Sequence, residues 1–188
     1  PEVTETTIHR SSINHGKERI SHGASVGTTQ RVHYAVDLET GSVIRAWRGE
    51  FLNATPMWDS RGNGVSLPLG NAVDLTNGNI IKTVEGKTAD NYRFKGYVLD
   101  KQRRPTFNYE FNGQSFNDQI IPDTESKYLV RTITSNGGTP FEAFLAQGKE
   151  ITTVTDGLYM VDGQYYIRIN EGGKGIITTA TNGAKQLV

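Results

Sequence analysis

The sequence predicts an all-β protein: an antiparallel β-sandwich of the large double-sheet type, with about a dozen short strands and almost no helix. Three observations carry this. Apolar residues fall in short runs that alternate with polar ones, the period of a half-buried strand. The runs are divided by Gly, Asn and Asp at hairpin spacing. A helical period is nearly missing.

The clearest strand is 31–37, where Val32, Tyr34 and Val36 alternate with Arg31, His33 and Ala35, so one face should be buried. Leu38-Glu39-Thr40-Gly41 follows as a turn in which Gly41 can take positive φ, and 42–48 returns as a second strand ending near Trp47. Residues 51–69 break the pattern: Thr55-Pro56-Met57-Trp58 has the Thr cap and early Pro of a single helical turn, and a Gly-rich loop follows. Strands resume at 79–84, 92–99, 106–111, 115–121 and 128–134, with Asn112-Gly113 the strongest hairpin signal in the chain. In 140–146, Phe141, Phe144 and Leu145 have helical spacing, but seven residues fit an irregular strand equally well. The remainder reads as strands at 150–155, 158–161, 164–169 and 176–180, separated by Asp156-Gly157 and Asp162-Gly163, with Asn182-Gly183 beyond them. Residues 1–27 are expected to be an irregular lead-in with one early strand near 4–10, and 28–188 a single sandwich domain without repeats or linkers.

The 188 residues suffice for one sizeable core. Lys plus Arg and Asp plus Glu balance at 20 each. The nearest thing to a basic stripe is Lys101, Arg103 and Arg104 in a turn, which argues against a nucleic-acid partner. No apolar stretch approaches a membrane span, so no membrane-spanning segment is expected. The chain has no cysteine, which excludes disulfides, thiolate metal sites and cysteine nucleophiles within it. It begins at Pro1 with no signal peptide, as a processed chain or a piece of a longer one would.

Few residues have the spacing of a reactive site. His9, His15, His22 and His33 form no ligand pair on one face; His15 and His22 share a Gly-rich stretch and could meet in space, but exposed loop histidines are the plainer reading. Asp74-Leu75-Thr76-Asn77-Gly78-Asn79 is rich in oxygen ligands but lacks the bidentate Glu of a calcium loop; an Asx turn explains it. Ser25 between glycines is not in a nucleophile elbow. Glu50, Asp59, Asp100, Glu110 and Asp118 are available for a carboxylate pair of glycosidic type, although no spacing singles out two of them. No cofactor and no metal is expected.

The densest cluster runs from Trp47 to Arg61 and holds both tryptophans with Arg48, Glu50, Phe51, Asp59 and Arg61. Aromatic faces with nearby charged donors and acceptors suit sugar recognition. They equally suit a structural corner that ties an irregular loop to a sheet. The candidate ligand-binding residues are therefore Trp47, Arg48, Trp58, Asp59 and Arg61, with Tyr97 and Arg104 as outer members.

The same region carries a resemblance. Ser25-Val26-Gly27, Val32-His33-Tyr34-Ala35-Val36-Asp37, Ala46-Trp47-Arg48-Gly49-Glu50-Phe51-Leu52, Pro56-Met57-Trp58-Asp59-Ser60-Arg61-Gly62 and Pro68-Leu69-Gly70 follow in order. Phe94-Lys95-Gly96-Tyr97-Val98-Leu99-Asp100, Arg104-Pro105-Thr106-Phe107 and Leu129-Val130-Arg131-Thr132 continue the series. It resembles a β-rich region of large secreted or periplasmic bacterial proteins that often carry a c-type cytochrome module or a quinoprotein (PQQ-type) sugar-dehydrogenase-like propeller. The resemblance implies a periplasmic or extracellular home and a multidomain parent acting on sugars or redox substrates. Haem and quinone chemistry would belong to the other modules, since no Cys-x-x-Cys-His is present.

Three functions follow as expectations. The first is a non-catalytic binding or scaffolding module whose partner is a carbohydrate or a neighbouring redox domain of the parent protein. The second is a carbohydrate-active enzyme with a carboxylate or His acid–base pair. The third is a purely structural assembly domain.

Overall fold

The computed structural model describes residues 3–54, 56, 64–170 and 172–188. They form eighteen strands, every pair antiparallel, with no helical element among the described residues. The strands are β1 (Thr7–His15), β2 (Glu18–Gly27), β3 (Val32–Asp37), β4 (Val43–Asn53), β5 (Leu67–Asp74), β6 (Ile81–Val84), β7 (Lys87–Thr88), β8 (Arg93–Leu99) and β9 (Pro105–Phe111). They continue as β10 (Gln114–Pro122), β11 (Leu129–Ser135), β12 (Phe141–Ala143), β13 (Ala146–Gly148), β14 (Ile151–Thr155), β15 (Leu158–Val161), β16 (Tyr165–Arg168), β17 (Ile177–Thr179) and β18 (Lys185–Leu187).

Sheet I is a five-stranded meander, β1-β2-β3-β4-β5, and sheet III is a four-stranded one, β11-β10-β9-β8. Sheet II (β12-β6-β7), sheet IV (β13-β18-β17) and sheet V (β14-β15-β16) have three strands each. Sheet III supplies one layer of the sandwich. Along β9 and β10 buried and half-buried residues alternate strictly, so its inner face carries Phe107, Tyr109, Phe111, Phe116, Asp118 and Ile120. Phe107 and Ile120 pack on Ala24, Val26, Tyr34 and Val36 of sheet I. Tyr109, Phe111 and Phe116 pack on Ile80, Ile81 and Val84 beside and within sheet II. The second layer is therefore built from sheets I and II side by side, joined where the Ile80 N–H donates to the Thr40 carbonyl at 2.9 Å.

The C-terminal strands have their own small core, Ala146, Ile151, Tyr159, Val161 and Leu187, between sheets IV and V. They are tied to the body where the Lys82 ammonium donates to Gln186 Oε1 at 2.6 Å and lies 5.0 Å from the Phe144 ring centroid.

Two expectations are corrected. Residues 1–27 are not an irregular lead-in but hold β1 and β2, a long hairpin paired from Thr7↔Gly27 to His15↔Glu18 with a bulge between Ser11 and Ile13. The glycines that suggested a loop are there for close packing: a Cβ on Gly23 would come within 2.5 Å of Ile13 Cδ1, and one on Gly27 within 3.0 Å of the Phe51 ring. Second, β3 is buried on both faces, because the far face of sheet I carries a second buried cluster of its own side chains, Ile13, Ile20, Ala35, Ile44, Trp47, Phe51 and Leu52. Of the two conformations that fitted 140–146, the strand is the one formed: the segment holds β12 and the start of β13. The helical turn expected at 55–58 falls on residues that, Pro56 apart, lie outside the described ones.

Turn chemistry follows the sequence. Asn112 and Gly113 have successive positive φ values, 52° and 75°, as the two-residue hairpin of the primed type between β9 and β10 requires; Asp162 and Gly163, at 52° and 64°, open the three-residue turn between Val161 and Tyr165.

Candidate functional site

Of the expected site, Trp47 does not present a face for stacking on a sugar. Trp47 is 3% exposed. Its Nε1–H is shared between the Glu50 and Phe51 carbonyls at 3.1 and 3.0 Å, and its ring stacks on Phe51 at 6.1 Å and 5°. This ring and its hydrogen bonds clamp the irregularity of β4 between Glu50 and Leu52. His33 lies against both rings, 5.6 Å from Trp47 and 5.3 Å from Phe51, and is itself buried rather than a loop histidine.

Arg48 points to solvent and fastens sheet I to the β10–β11 turn, donating from Nη1 to the Ser126 carbonyl at 2.6 Å and from Nη2 to the Lys127 carbonyl at 2.5 Å. Tyr97 packs edge-on against Phe107. Arg104 is held by Asp100 at 2.7 Å within the β8–β9 turn. Trp58, Asp59 and Arg61 lie outside the described residues. Trp47, Arg48, Tyr97 and Arg104 thus each serve a separate piece of architecture and are not brought together.

The described carboxylates are likewise dispersed. Asp100 accepts the backbone N–H groups of Gln102 and Arg104 and the Arg104 side chain, which hold its carboxyl below the usual range. Glu110 reaches Lys95 at 3.7 Å from the outer face of sheet III, whereas Asp118 is on the inner face. Asp74 accepts from Arg45 Nε at 2.7 Å and Asn77 donates to Glu18, so the oxygen-rich loop is knitted into sheet I. His22 faces Glu39 at 2.9 Å, away from His15. Among the described residues no group of three His, Cys, Asp or Glu side chains could hold a metal ion.

Two open depressions border the C-terminal strands. One, the seam groove between sheet I and these strands, about 310 Å³, is lined by His15 at the end of β1, Leu75 and Asn77 after β5, and Gln147, Lys149 and Asp162 across the seam. The other, about 660 Å³, lies beside β5, between Arg45, Pro68, Val73, Asp74 and Gln164. Asp162 and Gln164 belong to the β15–β16 turn and each borders one of the two.

The lining is chemically mixed. His15 Nε2 is shielded from solvent and makes no hydrogen bond to the protein. Arg45 is fixed, donating also to the Asn14 carbonyl at 2.7 Å. Asp162 Oδ1 accepts the Glu150 N–H at 2.8 Å, and its carboxyl fills the space a Cβ on Gly148 would need. Side-chain amides, an imidazole, an ammonium and a carboxylate therefore face one open groove. Sequence reasoning missed it because its walls come from residues more than a hundred positions apart.

Comparison of the chain with family models, curated proteins and solved structures finds no match. Among the described residues no helix is long and apolar enough to cross a membrane.

Proposed function

We propose that the chain is a non-catalytic binding module whose ligand is a carbohydrate, held in the seam groove. The observation that supports this reading is the lining: the amides of Asn77 and Gln147, the Lys149 ammonium and the Asp162 carboxylate converge on one open groove. Paired donors and acceptors of this kind recognise the hydroxyls of a sugar. The described carboxylates considered for an acid–base pair are committed elsewhere, Asp100 to its turn and Asp118 to the core, which favours binding over catalysis. The setting in a periplasmic or extracellular multidomain protein rests on the sequence resemblance alone.

The test is calorimetric titration of the chain with neutral and acidic oligosaccharides. Saturable binding weakened by Gln147→Ala is expected; no binding across the panel would remove the reading.

One observation favours a second reading, the scaffolding module. Strand β5 is paired only with β4 and is exposed along most of its length, with Leu67 at 42% and Leu69 at 40%. An open edge of this kind suits docking of a neighbouring domain by strand pairing. Loss of solution binding to other domains of the parent protein on placing Lys at Leu69 would support it.

A further inference from the structure

The side-chain amides of the seam groove are not free to turn. Lys82, half-buried on β6 in the body of the molecule, donates to Gln186 Oε1 at 2.6 Å, with its ammonium 5.0 Å from the Phe144 ring centroid. An ammonium has donors only, so the Gln186 oxygen must face it and the Gln186 NH2 must point the other way. On that side stands Gln147, the cross-strand partner of Gln186 in the β13–β18 pair. Gln147 Oε1 accepts from Gln186 Nε2 at 3.5 Å, a long bond that the pairing register holds in place. With its oxygen engaged, Gln147 turns its NH2 group to the groove that it lines.

The wall from sheet I is set by the same logic in the opposite sense. Asn77 donates from Nδ2 to the Glu18 carboxylate, an acceptor only, so Asn77 offers its Oδ1 to the groove. Asp162 takes the Glu150 N–H on Oδ1 at 2.8 Å and brings further acceptor capacity to the lining, while Lys149 brings donors. On the wall one ammonium, Lys149, stands against one carboxylate, Asp162, and exposed Glu18 and Glu150 adjoin them. The charge balance therefore gives no pull on a carboxylated ligand.

We propose that Lys82 is a positioning residue for the seam groove: acting through Gln186 it fixes Gln147 as a donor, and with Asn77 fixed as an acceptor the groove is matched to a neutral sugar. This rests on the carbohydrate reading of the groove and deepens it. A sugar hydroxyl has one hydrogen to give and lone pairs to receive, so it is used in full when it bridges a donor and an acceptor. Gln147 and Lys149 supply the donors, and Asn77 and Asp162 the acceptors. Were Gln147 reversed, its oxygen would join those acceptors in competing for single hydroxyl hydrogens, and one of them would be left unpaired. Lys82 touches no ligand; it decides which end of an amide the ligand meets.

The experiment has two readouts on the full chain, with circular dichroism confirming that each variant is folded. The first needs no ligand. In NMR spectra of the isotope-labelled protein, the Gln186 side-chain amide protons should show stronger NOEs to the Gln147 side chain than to Lys82. Lys82→Glu, which can only accept, should reverse that order, and Lys82→Arg should keep it. The second is isothermal titration with neutral cello-, malto-, manno- and xylohexaose, with hexagalacturonate and with chitosan hexaose. A neutral hexaose should bind more tightly than either charged one, and Lys82→Glu should weaken it at least about tenfold, as Gln147→Ala does, while Lys82→Arg binds as wild type. A reversed NOE order in the wild type would overturn the relay whether or not the variants fold. Neutral-sugar binding that Gln147→Ala weakens and Lys82→Glu leaves intact would also overturn it, with the groove reading still standing. Equal losses in Lys82→Arg and Lys82→Glu would reduce Lys82 to a structural tie. Equal or tighter binding of a charged hexaose would overturn the neutral ligand class. Absence of binding by every sugar would overturn the carbohydrate reading and the ligand class together, while the NOE order still decides the relay.

Discussion

The Asp118 carboxylate and the Arg131 guanidinium meet inside the sandwich, Nε to Oδ1 at 3.0 Å and Nη2 to Oδ2 at 2.5 Å, with the Asp118 side chain only 2% exposed. They lie diagonally on β10 and β11, since Arg131 is paired with Ile120 and Asp118 with Ile133. Nη2 also donates to the Gly41 carbonyl at 2.7 Å, and the Tyr109 hydroxyl donates to Asp118 at 3.2 Å. The pair thus stands where sheets I and II adjoin over sheet III and fixes how the two layers meet.

Removing one partner leaves a buried charge without compensation. Arg131→Ala is expected to lower unfolding free energy by about 3–5 kcal/mol, measured by urea denaturation. The double variant Asp118→Leu, Arg131→Met should recover a large part of that loss, because it removes both charges. A single variant that loses less than about 1 kcal/mol would show the pair to be solvated rather than buried.

The second prediction concerns acid. The Thr28 N–H donates to His33 Nδ1 at 3.0 Å, so Nδ1 must be the acceptor, and Nε2–H donates to the Gly49 carbonyl at 2.9 Å. Protonating Nδ1 would set two donors against each other. Burial accordingly pushes the His33 pKa below its ordinary value of 6.5, with Arg31 adding to the drop and the Gly49 bond opposing it. The unfolded chain then binds the proton more readily than the folded one. The stability this histidine brings is complete above about pH 6.5 and declines as pH falls through the folded value. Comparing urea midpoints of wild type and His33→Gln between pH 5 and 8 should show a steeper acid loss in the wild type. Buried Asp37, whose carboxyl is raised by burial, titrates in both proteins and cancels in the comparison. Parallel curves would refute the assignment.

A third concerns the tryptophans. In a Trp58→Phe variant only Trp47 emits, and its burial and two carbonyl partners predict blue-shifted emission that resists acrylamide quenching and ignores added sugars. Trp47→Ala should cost about 3–5 kcal/mol, the range for emptying a large core site. Emission typical of exposed indole would contradict the clamp on β4.

The fourth is a glycine. Gly41 has φ of 73°, and a Cβ there would sit 2.7 Å from Ile80 Cγ2. Gly41→Ala combines left-handed strain with a clash in the core, for an expected loss of about 2–3 kcal/mol in thermal or urea unfolding. Ile80→Ala removes the clashing Cγ2, so the double variant should lose less than the two single losses added together; full additivity would mean that the backbone, not the clash, sets the cost.

The strands that were legible in the sequence are those whose faces differ. In β9 and β10 alternation survives intact because sheet III has one buried and one open face, and Asn112-Gly113 joins them by the turn it signals. Strand β1 was expected near 4–10 and runs over 7–15, while β2 escaped notice because its burial rests on small residues: Gly23, Ala24, Ser25 and Gly27 pack closely, and such residues read as loop. Strand β5 escaped because it is mostly exposed and so has almost no buried face to alternate with. The positive φ of Gly41 was legible from the turn alone. The candidate site was not, since Trp47 looks the same in sequence whether its ring faces water or Phe51. The groove needs His15 and Lys149 in one place, which only the tertiary fold provides.

The meanders carry a consequence for the order in which the chain acquires its structure. Within sheets I, III and V every strand bonds to its immediate neighbour in sequence. Among the described strands, only β6 with β12 and β13 with β18 pair across distant segments. Each of the three meanders can therefore form by short loop closures as it leaves the ribosome, with little entropy lost per step. The two long-range pairings come last and act as latches: β12 completes sheet II only after all of sheet III has been synthesised, and β18 closes on β13 only after all of sheet V has. A nascent chain stalled before residue 141 would hold two finished meanders and a β6 bonded to β7 on one side with its other edge open, the point at which a chaperone or a second chain would find a strand to pair with.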